Sequence, residues 1–313
     1  MYCSMFSLEQ AEDISGTAPS WERMLIFTLD TPWASKIEAS RYFPENVRLL
    51  MNNQDTMNGL RIQCIVPDSR YVKEGISKVL YYQKVINNGY FSGYYKYELD
   101  VLSDELNLLI PDLINGNFYK KSVPSVLQTR DLFICTHGNR DACCGSFGFV
   151  IYDKLRKMLQ NNSNIRVWRI SHLGGHKFAP NMLDMPQGRI WSRFTESEAL
   201  MIVRSTMDLN MIDKCYRGLI GIDSPFGQVL EKQLFGHYGS EWTEKLLKAT
   251  IVSESENKES AFVNLQSVDQ NCNQAFYSAK VSVTGYLPTL QCMSNEFSNE
   301  SSPQYSIDWQ ADS

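Results

Sequence analysis

Cys135, Cys143 and Cys144 lie within ten residues of one another in CTHGNRDACCGSFGF (135–149), and His172 and His176 follow, four apart, in VWRISHLGGHKFAPNMLDMPQGRIW (167–191). Thiolates and neutral imidazoles are the side chains that hold borderline and soft metals, so the first chemistry to weigh is metal binding. Eight residues separate Cys135 from Cys144. Structural zinc usually draws its cysteines from a tighter C-x2–4-C spacing. A wider gap suits a larger group, such as a [2Fe–2S] cluster whose irons each take two ligands, and zinc stays open beside it. Cys135-Thr136-His137 imitates one half of a Rieske site, but the C-x-x-H half is missing: Phe147 lies three beyond Cys144 and Ser146 three beyond Cys143. Gly174 and Gly175 sit between the two histidines and argue for a loop rather than a helix. Cys143 and Cys144 also raise thiol redox chemistry, yet the usual C-x-x-C is absent and adjacent cysteines close only a strained ring. Cys143 is left as a packing residue, a neighbour of the site or a substitute ligand.

The elements around these residues must bring them to one place. DLFICTHG (131–138) reads as a strand, FGFVIYDKLRKMLQNN (147–162) as an amphipathic helix and NIRVWRIS (164–171) as a second strand. That is a βαβ unit, whose strands run parallel with a right-handed crossover. Loops after parallel strands gather at one edge of the sheet, so the cysteine and histidine segments converge there. Upstream, RMLIFTL (23–29), NVRLLM (46–51) and GLRIQCIV (59–66) read as strands, GYFSGYYKYEL (89–99) as a hairpin and DVLSDELNLLIPDLI (100–114) as a helix capped by Asp100 or Ser103. NGNFYKKSVPSV (115–126) reads as a connection. Downstream, Thr195-x-x-Glu198 is a capping box, Pro225 opens a helix that Gly239 closes, TIVSESENKESAF (250–262) reads as a polar loop and AFYSAKVSVTGYL (275–287) as a strand. YSIDW (305–309) adds an edge strand to an otherwise polar end.

The chain has 313 residues, 43% hydrophobic and 21% charged, with a formal charge of −5 from 30 basic and 35 acidic groups. That composition is globular and accommodates about two domains. An acidic surface repels phosphate backbones, which excludes non-specific nucleic-acid binding. No apolar run approaches the ~20 residues of a membrane span, and residues 1–23 carry neither a signal nor a transit pattern. The expectation is a soluble, cytoplasmic protein with reduced thiols, in which Cys3, Cys64, Cys215, Cys272 and Cys292 are ordinary unpaired cysteines.

CTHGNRDACCGSFG, RVWRISHLGGHKFAPNMLDMPQGRIW and YRGLIGIDSPFGQ (216–228), with GTAP (16–19) and TPW (31–33), resemble the sucrase/ferredoxin-like family of thioredoxin-like [2Fe–2S] ferredoxins. The resemblance covers roughly residues 1–240. It implies that Cys135, Cys144, His172 and His176 hold the cluster, and that the chain is an electron carrier served by a reductase or ferredoxin-type donor rather than an enzyme with its own substrate. Two ferric ions and two sulfides carry a formal charge of two plus, so four thiolates leave a dianion and two thiolates with two imidazoles leave a neutral centre. The neutral centre is easier to reduce, and imidazole titration couples protons to the electron. Arg140, Arg166, Arg169 and Lys177 are candidate cations for docking an acidic donor. The alternative is a zinc-bound or thiol-active thioredoxin-like protein without a redox cluster. Glycoside hydrolysis, the other half of the family name, would need a carboxylate pair, and Asp131, Asp141, Asp153 and Asp184 show no spacing that singles one out. The expected architecture is α/β. An N-terminal α/β domain (1–125), whose strands allow a diverged thioredoxin-like copy without requiring it, precedes a thioredoxin-like domain (126–292) and a polar tail (293–313).

Overall fold

RMLIFT buries five side chains in succession, the pattern of a strand covered on both faces. In the computed structural model, which describes residues 1–52, 57, 59–117, 129–293 and 296–310, it follows helix α1 (Cys3–Glu9) and forms β1 (Arg23–Thr28). Helix α2 (Glu45–Met51) crosses to β2 (Leu60–Ile65), which runs parallel to β1 in register from Arg23–Leu60 to Thr28–Ile65. On the other side of β1 lies the antiparallel hairpin of β3 (Ile76–Asn87) and β4 (Tyr90–Leu102), followed by α3 (Leu106–Asp112). The second half repeats this plan. β5 (Arg130–Cys135), α4 (Phe149–Met158) and parallel β6 (Ile165–Ile170) are completed by antiparallel β7 (Asn181–Met185) and β8 (Arg189–Ser192). Strand order is β2-β1-β3-β4 in one half and β6-β5-β7-β8 in the other, so the thioredoxin-like arrangement occurs twice.

Helices α5 (Glu196–Arg204) and α6 (Leu209–Cys215), strand β9 (Tyr216–Leu219) and helix α7 (Pro225–Tyr238) complete the second half. Then β10 (Leu246–Glu254), β11 (Ser260–Val268), β12 (Gln274–Leu290) and β13 (Phe297–Trp309) form an antiparallel meander that joins the outer edge of β4. The described strands make one continuous sheet, and among the described residues no helix is long and apolar enough to cross a membrane.

Three local expectations are corrected. NVRLLM is helix α2, not a strand: Pro44 leads into it, the Arg48 N–H donates to the Pro44 carbonyl, and Arg48 pairs with Glu45 one turn away. A six-residue apolar run does not distinguish the two periods by itself. TIVSESENKESAF is not a loop but the end of β10, a turn and the start of β11, whose alternate residues Ala261, Val263, Leu265 and Ser267 are buried. Tertiary pairing overrides the polar composition here. Residues 100–102 belong to β4, and the helix of that segment begins at Leu106 without a side-chain cap. Beyond residue 117, the expected connection lies outside the described residues. The Thr195 capping box is formed in both directions, and Pro225 opens α7.

Side chains of β1 divide by parity. Met24 and Ile26 enter the core shared with β5, β6 and β7, whereas Leu25 and Phe27 enter a smaller one with α2 and α3. The two halves are further tied by a buried ionic network. Asp131 on β5 accepts hydrogen bonds from Arg166 Nε (2.7 Å) and Trp168 Nε1 (2.8 Å) on β6, from Tyr82 Oη (2.6 Å) on β3 and from Lys96 Nζ (2.9 Å) on β4. Arg166 also forks onto Glu98 of β4, with both nitrogens at 2.9 Å.

Glu231 on α7 is fully buried, with the Trp242 Nε1–H donating to it at 3.1 Å, and burial outweighs Arg189, Tyr216 and Trp242 to raise its carboxyl from 4.5 to about 7. A folded-state pKa above the unfolded value means stability is full below pH 4.5 and falls as pH rises to about 7. At ~1.4 kcal/mol per pH unit the loss is on the order of 3 kcal/mol. Glu231→Gln is expected to flatten that slope in urea unfolding measured at successive pH values. An unchanged slope would place the titration elsewhere.

Candidate functional site

Cys135 is the last residue of β5 and His172 lies two beyond the end of β6, so the βαβ unit delivers both to the same sheet edge. Cys144 reaches that edge because α4 is preceded by a π-helical turn, Cys144–Gly148, that presses on the strand end. Gly148 makes the approach possible: a Cβ there would stand 2.0 Å from the Cys135 carbonyl oxygen. Gly145 likewise passes Gly138, where a Cβ would come within 2.7 Å of the opposite Cα. Between the histidines, Gly174 (φ +88°) and Gly175 (φ +70°) take the left-handed conformation that turns the chain back, and Gly175 also leaves room for Arg217.

The polar groups acting on the buried Cys135 sulfur are first the Cys144 thiol, then the His172 ring and the N–H groups of His137 and Leu173. Together they outweigh burial and hold Cys135 well below the ordinary thiol range, while Cys144 is pushed up beside it. Asn181 Nδ2 points at Cys144 Sγ from 3.9 Å and donates to the Gly175 carbonyl at 3.0 Å. The buried Arg217 guanidinium bonds Asn181 and the Gly174 carbonyl, both at 3.2 Å, which fixes the histidine loop from below. From the first half, Gln63 (2.8 Å) and Arg61 (3.1 Å) hold the His172 carbonyl, and Ser171 bonds Cys64 of β2 through both its backbone and its hydroxyl.

The His176 ring lies 6.3 Å from that of His172, centre to centre. Its Nδ1 is 2.8 Å from Asp141 Oδ2 and 3.2 Å from Cys3 Sγ. The Asp141 contact raises the His176 pKa against burial, and the same contact, outweighing burial, lowers that of Asp141. Asp141 Oδ1 meanwhile accepts the N–H groups of Cys143 (2.9 Å) and Cys144 (3.4 Å). One carboxylate thus ties the cysteine turn to the histidine loop and leaves Nε2 as the second nitrogen of His176. A carboxylate on the outer nitrogen is the usual support of a metal-bound histidine. The buried Nδ1 of His172 has no hydrogen-bond partner among the described residues. An orphaned imidazole nitrogen beside two buried cysteine sulfurs fits a metal or cluster, whose positive charge would draw both sulfurs to the thiolate form.

Cys143 points away from this set. Its sulfur lies 3.4 Å from Cys3 Sγ and 3.1 Å from Cys292 Sγ. His137 is also engaged elsewhere, its Nε2 bonded to the Ala34 carbonyl at 2.8 Å and its ring against Trp33. Of the docking cations named from the sequence, Arg166 is consumed by Asp131 and Glu98, Lys177 pairs with Glu12 at 2.8 Å, and Arg140 is exposed. The acidic residues weighed for hydrolysis are also committed: Asp184 receives a bidentate Arg130, Asp153 pairs with Lys157, and Asp131 and Asp141 have the partners above. Sequence reasoning missed Asp141, Asn181 and Arg217. The signal for Asp141 was local, an Asp three residues before the π-helical turn whose N–H groups it accepts.

Gly148→Ala is expected to lift the Cys144 turn off β5. An overpacking cost of ~1–3 kcal/mol should appear as a lower urea midpoint, with faster alkylation of Cys135 and Cys144. Gly236→Ala in α7, where nothing lies within 4 Å, is the control and should leave the midpoint unchanged or higher. Equal effects at both positions would remove the close approach as the cause.

A doubled βαβ-plus-hairpin sheet, with Cys135, Cys144 and His172 in contact where its parallel strands end and the His176 ring turned to Asp141 and Cys3, defines a thioredoxin-like α/β protein with a cysteine- and histidine-rich site. Residues 14–218 match the sucrase/ferredoxin-like family model, and the chain belongs to that family. Among curated proteins it is similar to altered inheritance of mitochondria protein 32 of Candida glabrata, at 28% identity over 49% of this chain and 54% of that one. It is also similar to actin patches distal protein 1 of Saccharomyces cerevisiae, at 31% identity over 34% of this chain and 41% of the relative. The chain therefore spans about half or less of these curated relatives. A thioredoxin-like [2Fe–2S] ferredoxin from Aquifex aeolicus matches 25% of this chain and 79% of its own at 10% identity, with a TM-score of 0.23, too low to bear on the site.

Proposed function

We propose that the chain is an electron carrier in which Cys135, Cys144, His172 and His176 hold a [2Fe–2S] cluster. The observation that carries this reading is the buried Cys135 sulfur in contact with the Cys144 thiol and the His172 ring, with Asp141 tying the His176 ring to the turn that carries Cys144. A bound cluster would accept and release one electron at a time. The protein's own residues do the rest. The N–H groups of His137 and Leu173 direct positive ends at the Cys135 sulfur. Asp141 holds a proton at His176 Nδ1, the place where proton uptake would accompany the electron. Asn181 and Arg217 keep the histidine loop from opening. A cavity of about 250 Å³ touches His172 and is lined by Lys36, Arg61 and Arg140, a basic approach for an acidic reductase or ferredoxin-type donor.

The test is the visible spectrum and iron content of anaerobically purified protein: coloured, with two irons and two sulfides per chain, and bleached by dithionite. A colourless protein holding zinc at these residues would replace the electron-transfer reading. In redox titrations the potential should fall by up to ~59 mV per pH unit where the imidazole titrates. Asp141→Asn should move that range to lower pH, because His176 loses the carboxylate that raises its pKa. A potential flat from pH 6 to 9 would leave electron transfer without the proton.

A further inference from the structure

Cys3, Cys143 and Cys292 come from three segments that share no local spacing: the first residue of α1, the turn before α4 and the chain just past β12. Their sulfurs nevertheless meet, with Cys143 Sγ 3.4 Å from Cys3 and 3.1 Å from Cys292. A ligand oxygen of Asp141 joins them, so that four donor atoms lie within 4.8 Å of one another, and Cys3, Cys143 and Asp141 are all buried. Tetrahedral zinc with Zn–S bonds of ~2.3 Å spaces its sulfurs by about 3.8 Å, so the three thiols need to part by only a few tenths of an ångström. Asp141 has capacity for a metal: Oδ1 accepts two N–H bonds, whereas Oδ2 accepts one from His176 and keeps a further lone pair.

We propose that Cys3, Cys143, Cys292 and Asp141 form a second metal site suited to Zn²⁺, adjoining the Cys135 set through Asp141 and Cys3, which both touch His176 Nδ1. Three thiolates select a soft or borderline ion, and a closed set of four protein donors is the form of a structural rather than a catalytic zinc site. Binding releases the three thiol protons to solvent. No electron is transferred. Its structural effect is to clamp α1 and the end of β12 onto the turn that carries Cys144. Tyr2 already lies on that turn, with its ring 5.2 Å from Phe147 and its hydroxyl 3.2 Å from Ser146 Oγ, and the Met293 N–H donates to the Met1 carbonyl at 3.0 Å.

The experiment is elemental analysis of anaerobically purified protein, with Co²⁺ in zinc-depleted growth as the spectroscopic probe. One equivalent of zinc is expected in the wild type and in Cys135→Ser. Cys3→Ser and Cys292→Ser should each lose zinc by more than the roughly 10–100-fold that outer-shell partners are worth, while retaining iron and visible absorption. The cobalt protein should show thiolate-to-metal charge transfer that Cys292→Ser weakens, and because Cys292 is only half-buried this variant keeps the test open if Cys3→Ser fails to fold. Failure of the cluster reading would show as missing iron with zinc retained. Zinc that is lost with Cys135 but kept without Cys3 or Cys292, absence of both zinc and cobalt–thiolate bands, or a Cys143–Cys292 disulfide in anaerobic protein would each overturn the second site.

Discussion

Cys144→Ser is expected to purify with its iron reduced at least tenfold and its visible absorption gone, whereas Cys143→Ser retains both. The two residues are adjacent in sequence and begin one helical turn, where successive side chains project about 100° apart. Cys144 faces Cys135 and receives Asn181, while Cys143 faces Cys3 and Cys292. Removing Cys144 takes away half of the thiolate pair and leaves Cys135 buried without it. Removing Cys143 takes nothing from the first site and should cost only the zinc of the second. Iron, sulfide and zinc assays on the same preparations decide the matter. Iron lost from Cys143→Ser and kept in Cys144→Ser would exchange the two cysteines.

Asp131→Ala should be the most destabilising single change outside the site. Burial alone would raise this carboxyl, but Arg166 and Lys96 outweigh it and hold the pKa below its ordinary value. The stability it contributes is therefore present above the unfolded carboxyl pKa and is lost as pH falls through the lower folded value. Alanine would leave Lys96 and Arg166 buried with Glu98 as their remaining carboxylate among the described residues, besides the Thr129 carbonyl that accepts from Lys96 at 2.8 Å, and breaking a buried pair in this way costs ~3–5 kcal/mol. Urea unfolding at pH 7 measures it directly. A loss below about 1 kcal/mol would mean that Glu98 and water satisfy both cations.

How much of this was legible beforehand depends on the range of the forces involved. β5, α4 and β6 could be read because their apolar periods are local, and Cys135, Cys144, His172 and His176 stand out because they lie within one βαβ unit. α2 was misread because six apolar residues fit either period. The hairpin at 250–262 was misread because its burial comes from α7 and β12 rather than from its own composition. Cys3 and Cys292 carried no signal: 140 and 149 residues separate them from Cys143, and no spacing rule spans that distance. Arg217 stood out only as part of YRGLIGIDSPFGQ, and only the tertiary fold buries it under the histidine loop.

The meeting of α1 with the end of β12 also bears on the order in which the molecule assembles. Pinning Met1 to Met293 in an unfolded chain would cost about 5 kcal/mol in loop entropy, from (3/2)RT ln n for nearly the whole length. Once the sheet has formed, the same contact requires only the ordering of one short helix. Contacts of such sequence separation form late, so the two ends close after β5, α4 and β6 are in place. Until then the Cys144 turn stands open on the side that α1 later covers. Were the proposed cluster bound, the interval between these events would be the time in which iron and sulfide reach a nascent or refolding chain, and closure afterwards would slow their escape.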